Sequence, residues 1–502
     1  MDINKLTLDE KIGQMLAFAF HGTEYNEQLR ILIEEFKIGN IIHFARNIIN
    51  VEQVKKLNSD IQNHATIPMF ISLDHEGGMV RRVMDNITYL PGAMALCATK
   101  ENIEEITYLA NLDLKKCGFN VNHAPVADVN NNPKNPVINS RSYSDDPVIV
   151  GRLIKESIRG MDRANMLPTL KHFPGHGDTN VDSHLGLPVV EKTIKGLNTM
   201  ELAPFKDAIA AGVDGIMVAH ILYTQLDDTY PSSLSYNIIT KLLKEELGYK
   251  GIITTDSLTM AAIWNKYSIP EIVLHSINAG NDIILFCGKA DIEEQREIVQ
   301  AFKDLVNQGK ISMERINESV NKILSAKAKY TKINNEPIVK NHLAEELVYK
   351  SMTKVIDENK LLPLKEEDRV LILFPKLRIA SLVDNANQDF VTLGNVLSGD
   401  EIIYEDNVDI RKNVVQIQQK YDKIIMATYN VVEDDFQVKL ANLLDKSKTL
   451  FVSLRSPFDF DFIKGIKTYI CTYDSTPESL KALSMALKGE FNGVLPIKLW
   501  RN

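Results

Sequence analysis

The eighteen residues from Lys171 to Pro188, KHFPGHGDTNVDSHLGLP, hold three of the chain's eleven histidines together with two aspartates and three glycines. Imidazoles and carboxylates at this density suit three chemistries: metal ligation, phosphate binding or proton transfer. A metal site would draw on His172, His176, Asp178, Asp182 and His184. Helical zinc sites set histidines four apart on one face, however, and the glycines and Pro174 break any helix here. A phosphate cradle would want G-x-x-x-x-G-K-[ST] or backbone amides opening a helix, and the stretch has neither. Proton transfer fits better. In extended backbone Asp182 and His184, two apart, project to one side. There the carboxylate fixes the imidazole tautomer and favours its protonated form near neutral pH.

From Pro174 to Leu187 there is neither a helical nor a strand period, which makes a long irregular loop. Such segments inside compact domains are usually lids or binding loops. Asp256 closes the apolar run GIITTD, 72 residues after His184. A carboxylate facing an acid–base group across a sugar is the minimal kit for glycoside hydrolysis, although the usual acid–base group is a second carboxyl. An imidazole in that place departs from the common pattern.

Residues so far apart must be brought together by the fold. Apolar, β-branched runs recur eight times: MLAFAF, IGNIIHFA, MFISLD, FNVNHAPV, LPTLKHF, GIMVAHI, GIITTD and DIILFC, with amphipathic segments between them. Strands alternating with helices imply parallel pairing, since each parallel connection needs a crossover of about a dozen residues. Eight such units predict an α/β fold, a (β/α)8 TIM-like barrel with insertions. A doubly wound open sheet is the alternative, but the turn after the first run, FAFHGTEYNE, lacks G-x-G-x-x-G. Barrel chemistry sits beyond the carboxyl ends of the strands. At those ends stand Asp74, Lys171 with His172, His220 and Asp256. Taken singly each reads equally as a helix cap or loop tie; together they read as a site.

The catalytic barrel is assigned to residues 1–335, with MERINESVNKILSAKAKY as its closing helix. A polar linker near 331–345 leads to a smaller α/β sandwich domain over 336–502, where RVLILF, DKIIMATY, TLFVSL and KTYICTY are strand-like and SLKALSMAL is helical.

Of 502 residues, 44% are apolar and 25% charged, a globular balance that supports a sizeable core. A net charge of −9 leaves no basic footprint for nucleic acid or anionic lipid, and a small neutral ligand fits better. The start, MDINKLTLDEKIGQML, lacks a signal-peptide pattern and instead gives Thr7 and Glu10 capping-box spacing. No apolar run approaches the roughly 18 residues that cross a bilayer. The expectation is a cytoplasmic monomer with a small-molecule ligand, no cofactor, no metal, and no nucleic-acid or membrane partner. Cys97, Cys117, Cys287 and Cys471 are too widely spaced for a zinc knuckle or disulfide framework and read as buried or incidental thiols.

KHFPGHGDTNVDSHLGLP resembles the signature of the β-N-acetylglucosaminidases of glycoside hydrolase family 3, close to K-H-F-P-G-H-G-D-T…D-S-H…L-P. LTLDEKIGQM, SLDHEGGMVRR, APVADVNNNPKNPVINSRSYSDDP, ITTDSLTM and AGNDIIL extend the similarity through the barrel. The resemblance implies an exo-acting, retaining double displacement on small glycans, with cell-wall (peptidoglycan) fragments a fitting source. It implies Asp256 as nucleophile, His184 as general acid–base and Asp182 as its partner. Asp74, Arg82, Arg141, Lys171 and His172 match residues that hold a terminal N-acetylglucosamine by its hydroxyls.

Three other readings stay open: a phosphorylase using the same residues, a β-glucosidase, and a catalytically silent sugar-binding protein. Intact Asp256, Asp182 and His184 argue against the last. Two motifs depart from the family's. Where D-Q-E-G-G-R-V is common, this chain reads DHEGGMV from Asp74 to Val80; where R-S-F-G is common, it has Arg141, Ser142, Tyr143 and Ser144. ENKLLPLK and TPESLKALSMALKGEFNGVLPIKL resemble the second domain of two-domain members. The D-S-H element leaves no need for a carboxylate from that domain, so its expected role is structural or accessory.

Overall fold

A computed structural model of the chain describes residues 2–180, 186–332, 334, 336–339, 341–377, 391–406, 410–433 and 435–499. In chain order the first strands are β1 (Leu16–Phe18), β2 (Asn40–His43), β3 (Phe70–Leu73), β4 (Val121–Asn122), β5 (Leu167–Pro168) and β6 (Leu170–Phe173). They are followed by β7 (Val189–Val190), β8 (Gly215–Val218), β9 (Leu222–Tyr223), β10 (Ile252–Ser257) and β11 (Ile283–Phe286). Nine of these make one parallel sheet in the order β5-β4-β3-β2-β1-β11-β10-β8-β6, while β7 and β9 pair separately. β5 and β6, at opposite ends of that order, are halves of one run interrupted at Thr169. The Thr169 amide donates to the carbonyls of Asn122 and Ala124, and Lys171 pairs with Val126. The sheet therefore closes into an eight-fold barrel, and each of the eight apolar runs supplies one stave.

Helices between the staves begin where the sequence supplies caps. Thr7 and Glu10 form a reciprocal capping box on Leu8–Met15, Asp146 caps Pro147–Arg163, and Ser268 with Glu271 does the same for Ile269–Ala279. β2, β3, β6, β8 and β11 are buried at every position, as strands covered outside by helices and filled inside by side chains must be.

A second sheet comprises β12 (Thr353–Asp357), β13 (Val370–Pro375), β14 (Asp400–Tyr404), β15 (Lys423–Thr428), β16 (Thr449–Ser453) and β17 (Thr468–Cys471). Its order is β12-β17-β16-β15-β13-β14, parallel except for β12, which runs antiparallel to β17. Alternate residues feed two cores: Leu371, Leu373, Ile424 and Met426 on one face, Ile372, Phe374, Ile425 and Ala427 on the other. This is the α/β sandwich expected. Met94, Ala95 and Ala98, from the barrel helix Ala93–Thr99, lie in the first of these cores, so the two units share apolar packing. Among the described residues no helix is long and apolar enough to cross a membrane, and the four cysteines are free thiols.

Candidate active site

Asp74, Arg82, Arg141, Lys171, His172 and Asp256 all line one cavity of about 390 Å³ at the carboxyl ends of the barrel strands. Asp74 follows β3, Lys171 and His172 lie within β6, Asp256 lies within β10, and Arg141 ends the helical turn Asn139–Arg141. Strand register shifts at both of the longer contributions. The β6–β8 pairing slips between Leu170 and Phe173, and the β10–β11 pairing between Thr254 and Ser257. Such irregularities re-aim side chains beside active sites. Asp256 is accordingly the one half-buried position in a strand otherwise buried, and its Oδ1 accepts the Ser257 amide at 2.7 Å.

Three cations and two carboxylates form one wall. Lys171 Nζ lies 2.8 Å from Asp74 Oδ1 and 2.6 Å from Glu76 Oε1. Arg141 grips both oxygens of Glu76 at 2.8 and 2.7 Å, and Arg82 Nη2 stands 3.8 Å from Asp74 Oδ2. Burial alone would raise both carboxyls. Lys171 and Arg82 outweigh it at Asp74, holding that group well below the usual carboxylate range. Arg141 and Lys171 outweigh it at Glu76, which is held at about 2. Burial would likewise lower Lys171, but Asp74 and Glu76 raise it above its ordinary value. All three therefore stay charged, giving the cavity wall fixed charged donors and acceptors.

Behind His172 sits the fully buried Asp128, whose Oδ2 accepts from His172 Nδ1 at 2.7 Å. Its Oδ1 takes the amides of His172 at 3.2 Å and His176 at 2.6 Å. Burial would raise this carboxyl too, and His172 outweighs it, so Asp128 lies below its ordinary value. The base of the following loop is tied down by Asn135, whose Nδ2 donates to the carbonyls of His176 and Gly177 at 2.8 and 3.0 Å. A methyl group at Gly177 would lie 1.6 Å from Val129 O, so only glycine fits. From Pro174 to Asn180 and from Gly186 to Pro188 there is no helix or strand. Asp182 and His184 lie outside the described residues.

The sequence pointed to the carboxylates, lysine and arginines that line the cavity and to His172, but not to the groups that hold them: Glu76, between Lys171 and Arg141, and Asp128, behind His172. Glu76 stood within SLDHEGGMVRR and Asp128 within APVADV, without a signal of their own. His123, one residue past β4, also went unnamed and lines the cavity. His220, read as a strand-end candidate, is instead a fully buried tie: Nε2 donates to Ser257 O at 2.8 Å, so Nδ1 accepts from Ser233 Oγ at 2.7 Å.

Four buried histidines should make stability depend on pH on the acid side. Burial holds His43 and His75 down at about 3 and His123 and His176 at about 4, against an ordinary value of 6.5. No described residue hydrogen-bonds either ring nitrogen of His43 or His123, so a proton there would have no acceptor. The unfolded chain takes up these protons first. Stability should therefore fall as pH drops from about 6.5 toward 4, by about 1 kcal/mol per histidine per pH unit. The contributions of Asp74 and Glu76, whose folded values are depressed, persist until pH falls below about 4, their unfolded range. Thermal melts at pH 7, 6 and 5 should step down steeply; a flat series would refute the assignment.

The Glycosyl hydrolase family 3 N terminal domain matches residues 7–326. The chain is 31% identical to beta-hexosaminidase A of Pseudoalteromonas piscicida, covering 90% of this chain and 88% of that one. It is 35% identical to a beta-hexosaminidase of Neisseria meningitidis serogroup B over 56% of this chain and 79% of that one. Among solved structures it is similar to a glycoside hydrolase family 3 beta-N-acetylglucosaminidase from Paenibacillus sp. str. FPU-7. That match has a TM-score of 0.92 at 35% identity, covering 98% of this chain and 99% of that one. The beta-glucoside phosphorylase BglX shares the fold, with a TM-score of 0.85 at 22% identity, covering 99% of this chain and 95% of that one. With its barrel matched from end to end, and a relative aligned through both units, the chain belongs to glycosyl hydrolase family 3.

Proposed function

We propose that the protein is an exo-acting, retaining β-N-acetylglucosaminidase that releases terminal N-acetylglucosamine from small glycans such as cell-wall (peptidoglycan) fragments. The observation that carries this reading is the state of the carboxylates around the cavity. Asp74 and Asp256 are the two among its described lining residues, and Asp74 is locked as an anion between Lys171 and Arg82. Asp74 can therefore neither give a proton nor leave its partners to attack carbon. Asp256, at the register shift of β10 and lining the same cavity, is the carboxylate to which this reading gives the nucleophilic attack.

In the first step Asp256 displaces the leaving group at the anomeric carbon, while His184, oriented by Asp182, protonates the departing oxygen. In the second, His184 takes a proton from water, which releases the sugar from Asp256. Lys171, Asp74, Arg82, Arg141 and His172 hold the sugar hydroxyls, and charge-assisted hydrogen bonds of this kind strengthen as oxocarbenium character develops. A cavity near the low end of the roughly 300–1,000 Å³ range for ligand pockets suits a single terminal sugar. The beta-hexosaminidases among its relatives support the N-acetylated substrate class. A cytoplasmic location would place the enzyme with recycled wall fragments.

Phosphorolysis is the second reading, favoured by three cations against two carboxylates on the wall and by an imidazole that does not repel phosphate as a carboxylate would. A panel of aryl β-N-acetylglucosaminides, aryl β-glucosides and defined disaccharides, each with and without phosphate, separates the readings. Free N-acetylglucosamine in both conditions is expected. Dominant sugar 1-phosphate would overturn hydrolysis, and a preference for glucosides would overturn the substrate class.

A further inference from the structure

We infer that the carboxy-terminal unit is part of the sugar-binding machinery: it clamps the two barrel loops that carry Glu76, Arg82 and Arg141, with Asp474 and Glu478 as positioning residues. The inference rests on the assignment of those loops to the sugar site. The loop from Asp74 to Gly92 contains no helix and only a two-residue bridge between Gly77 and Val80. Turn bonds such as Glu76 N to Val80 O and Gly78 N to Leu90 O, each 2.9 Å, shape the loop, and packing against a scaffold outside it helps hold its side chains within the roughly 0.5 Å that a productive site tolerates.

The scaffold is the loop and helix after β17. The buried Asp474 projects into a notch between two residues without side chains. Its Oδ2 lies 3.1 Å from where a Cβ of Gly78 would stand and 3.6 Å from that of Gly92. Gly78 is at φ +54°, where other residues are strained, and its added methyl would stand 2.9 Å from Gly92 Cα. The same oxygen accepts from Tyr89 OH at 3.3 Å, and Tyr89 OH also meets Thr476 Oγ1 at 3.0 Å. Arg81, the residue before Arg82, reaches Glu478 at 3.3 Å, with its guanidinium 4.5 Å from the centre of the Tyr89 ring. Ser475 Oγ meets Met79 Sδ at 3.5 Å.

The second loop is gripped just past Arg141. Ser144 Oγ donates to Pro496 O at 2.5 Å, and the Lys498 amide donates to Asp145 Oδ2 at 2.8 Å. Glu76 and Arg141 line a cavity of about 30 Å³ together with Arg455, Tyr473 and Asp474. The Glu76–Arg141 pair therefore shares a small cavity with residues of the carboxy-terminal unit. Docking that merely joined two domains would not need to seize both sugar-holding loops.

Tyr89→Phe, which deletes one oxygen, Glu478→Gln and Asp474→Ala test this in the full-length protein. Each variant is first checked for an intact melting transition above the assay temperature, and Tyr89→Phe keeps the test alive should Asp474→Ala misfold. The account expects KM for an aryl β-N-acetylglucosaminide to rise about tenfold, a typical coupling through positioning residues, with kcat within about twofold. The Kd for free N-acetylglucosamine, read by calorimetry, should rise in parallel. Arg81→Lys, which keeps the charge facing Glu478, should restore part of what Arg81→Ala loses. Folded variants with unchanged KM and Kd, and only a lowered melting temperature, would show that the contacts are structural and overturn the clamp. Wild-type protein without turnover of any N-acetylglucosaminide would instead defeat the proposed function. The ratio of variant to wild-type KM on whichever glycoside is cleaved still decides the clamp.

Discussion

Replacing Asp256 by alanine should abolish turnover, lowering kcat by about four orders of magnitude or more, the scale on which deletion of one member of a catalytic unit registers. The reason is local. Asp256 is half-buried at the register shift of β10, and the other carboxylate lining the cavity, Asp74, is paired with Lys171 and Arg82. No described carboxylate on that wall is available to take over the attack. The companion variant His184→Ala should slow the reaction by about 10²–10⁴-fold, the range of general acid–base catalysis. Its penalty should be largest with a disaccharide and smallest with a 4-nitrophenyl leaving group, which departs without a proton. Comparing the two substrates also distinguishes His184 from His172, the imidazole that Asp128 orients at 2.7 Å. Loss of a sugar contact at His172 should affect both substrates alike. Unchanged steady-state rates in Asp256→Ala and His184→Ala would sink the assignment of both.

The second large effect is expected at Glu76, a residue that touches no part of the reaction. Its side chain and that of Arg141 are 6% and 5% exposed, and Lys171 is 2% exposed. Glu76→Ala would remove the carboxylate that the buried Lys171 and Arg141 share. Breaking a buried pair in this way costs about 3–5 kcal/mol, a large share of the roughly 5–15 kcal/mol that holds a domain folded. Displacement of Lys171 and Arg141 should also cut kcat/KM by about a hundredfold, since misplacing a positioning group by about 1 Å is enough for that. An exposed pair supplies the control. Glu293→Ala removes the Arg296 partner at 3.5 Å on the surface and should change stability by less than about 1 kcal/mol. Denaturant melts that show Glu76→Ala and Glu293→Ala to be alike would contradict the ion cluster's role.

Both effects bear on what could be read before the fold was seen. All eight barrel strands were legible because strands covered on both sides are written as unbroken apolar runs. The break of one run at Thr169, which lets β5 and β6 close the sheet, left no mark in that pattern. In the second unit β12 and β14 were not anticipated. Both are edge strands, with only Thr353 of β12 and Tyr404 of β14 fully buried, so half-exposed lysines and acids hide their period. The carboxylates, lysine and arginines that line the cavity were legible from strand ends and motif, whereas His123 was not. Glu76 and Asp128 were not, because a buried carboxylate is explained only by partners 65 and 44 residues away. His220 read as chemistry for the same reason, since its partners Ser233 and Ser257 come together only in the closed barrel. The two motif departures had no evident meaning in sequence. In the fold Met79 and Ser144 both touch the carboxy-terminal unit.

The central claim, that Asp256 becomes covalently joined to the sugar, is open to one direct measurement. The protein is incubated with a fluorinated N-acetylglucosaminyl fluoride whose glycosyl–enzyme hydrolyses slowly, then digested and its peptides mapped by mass spectrometry. The account predicts a single sugar adduct on the peptide that contains Asp256, absent from Asp256→Ala. An adduct on any other residue, or turnover with inverted anomeric configuration and no adduct, would contradict it.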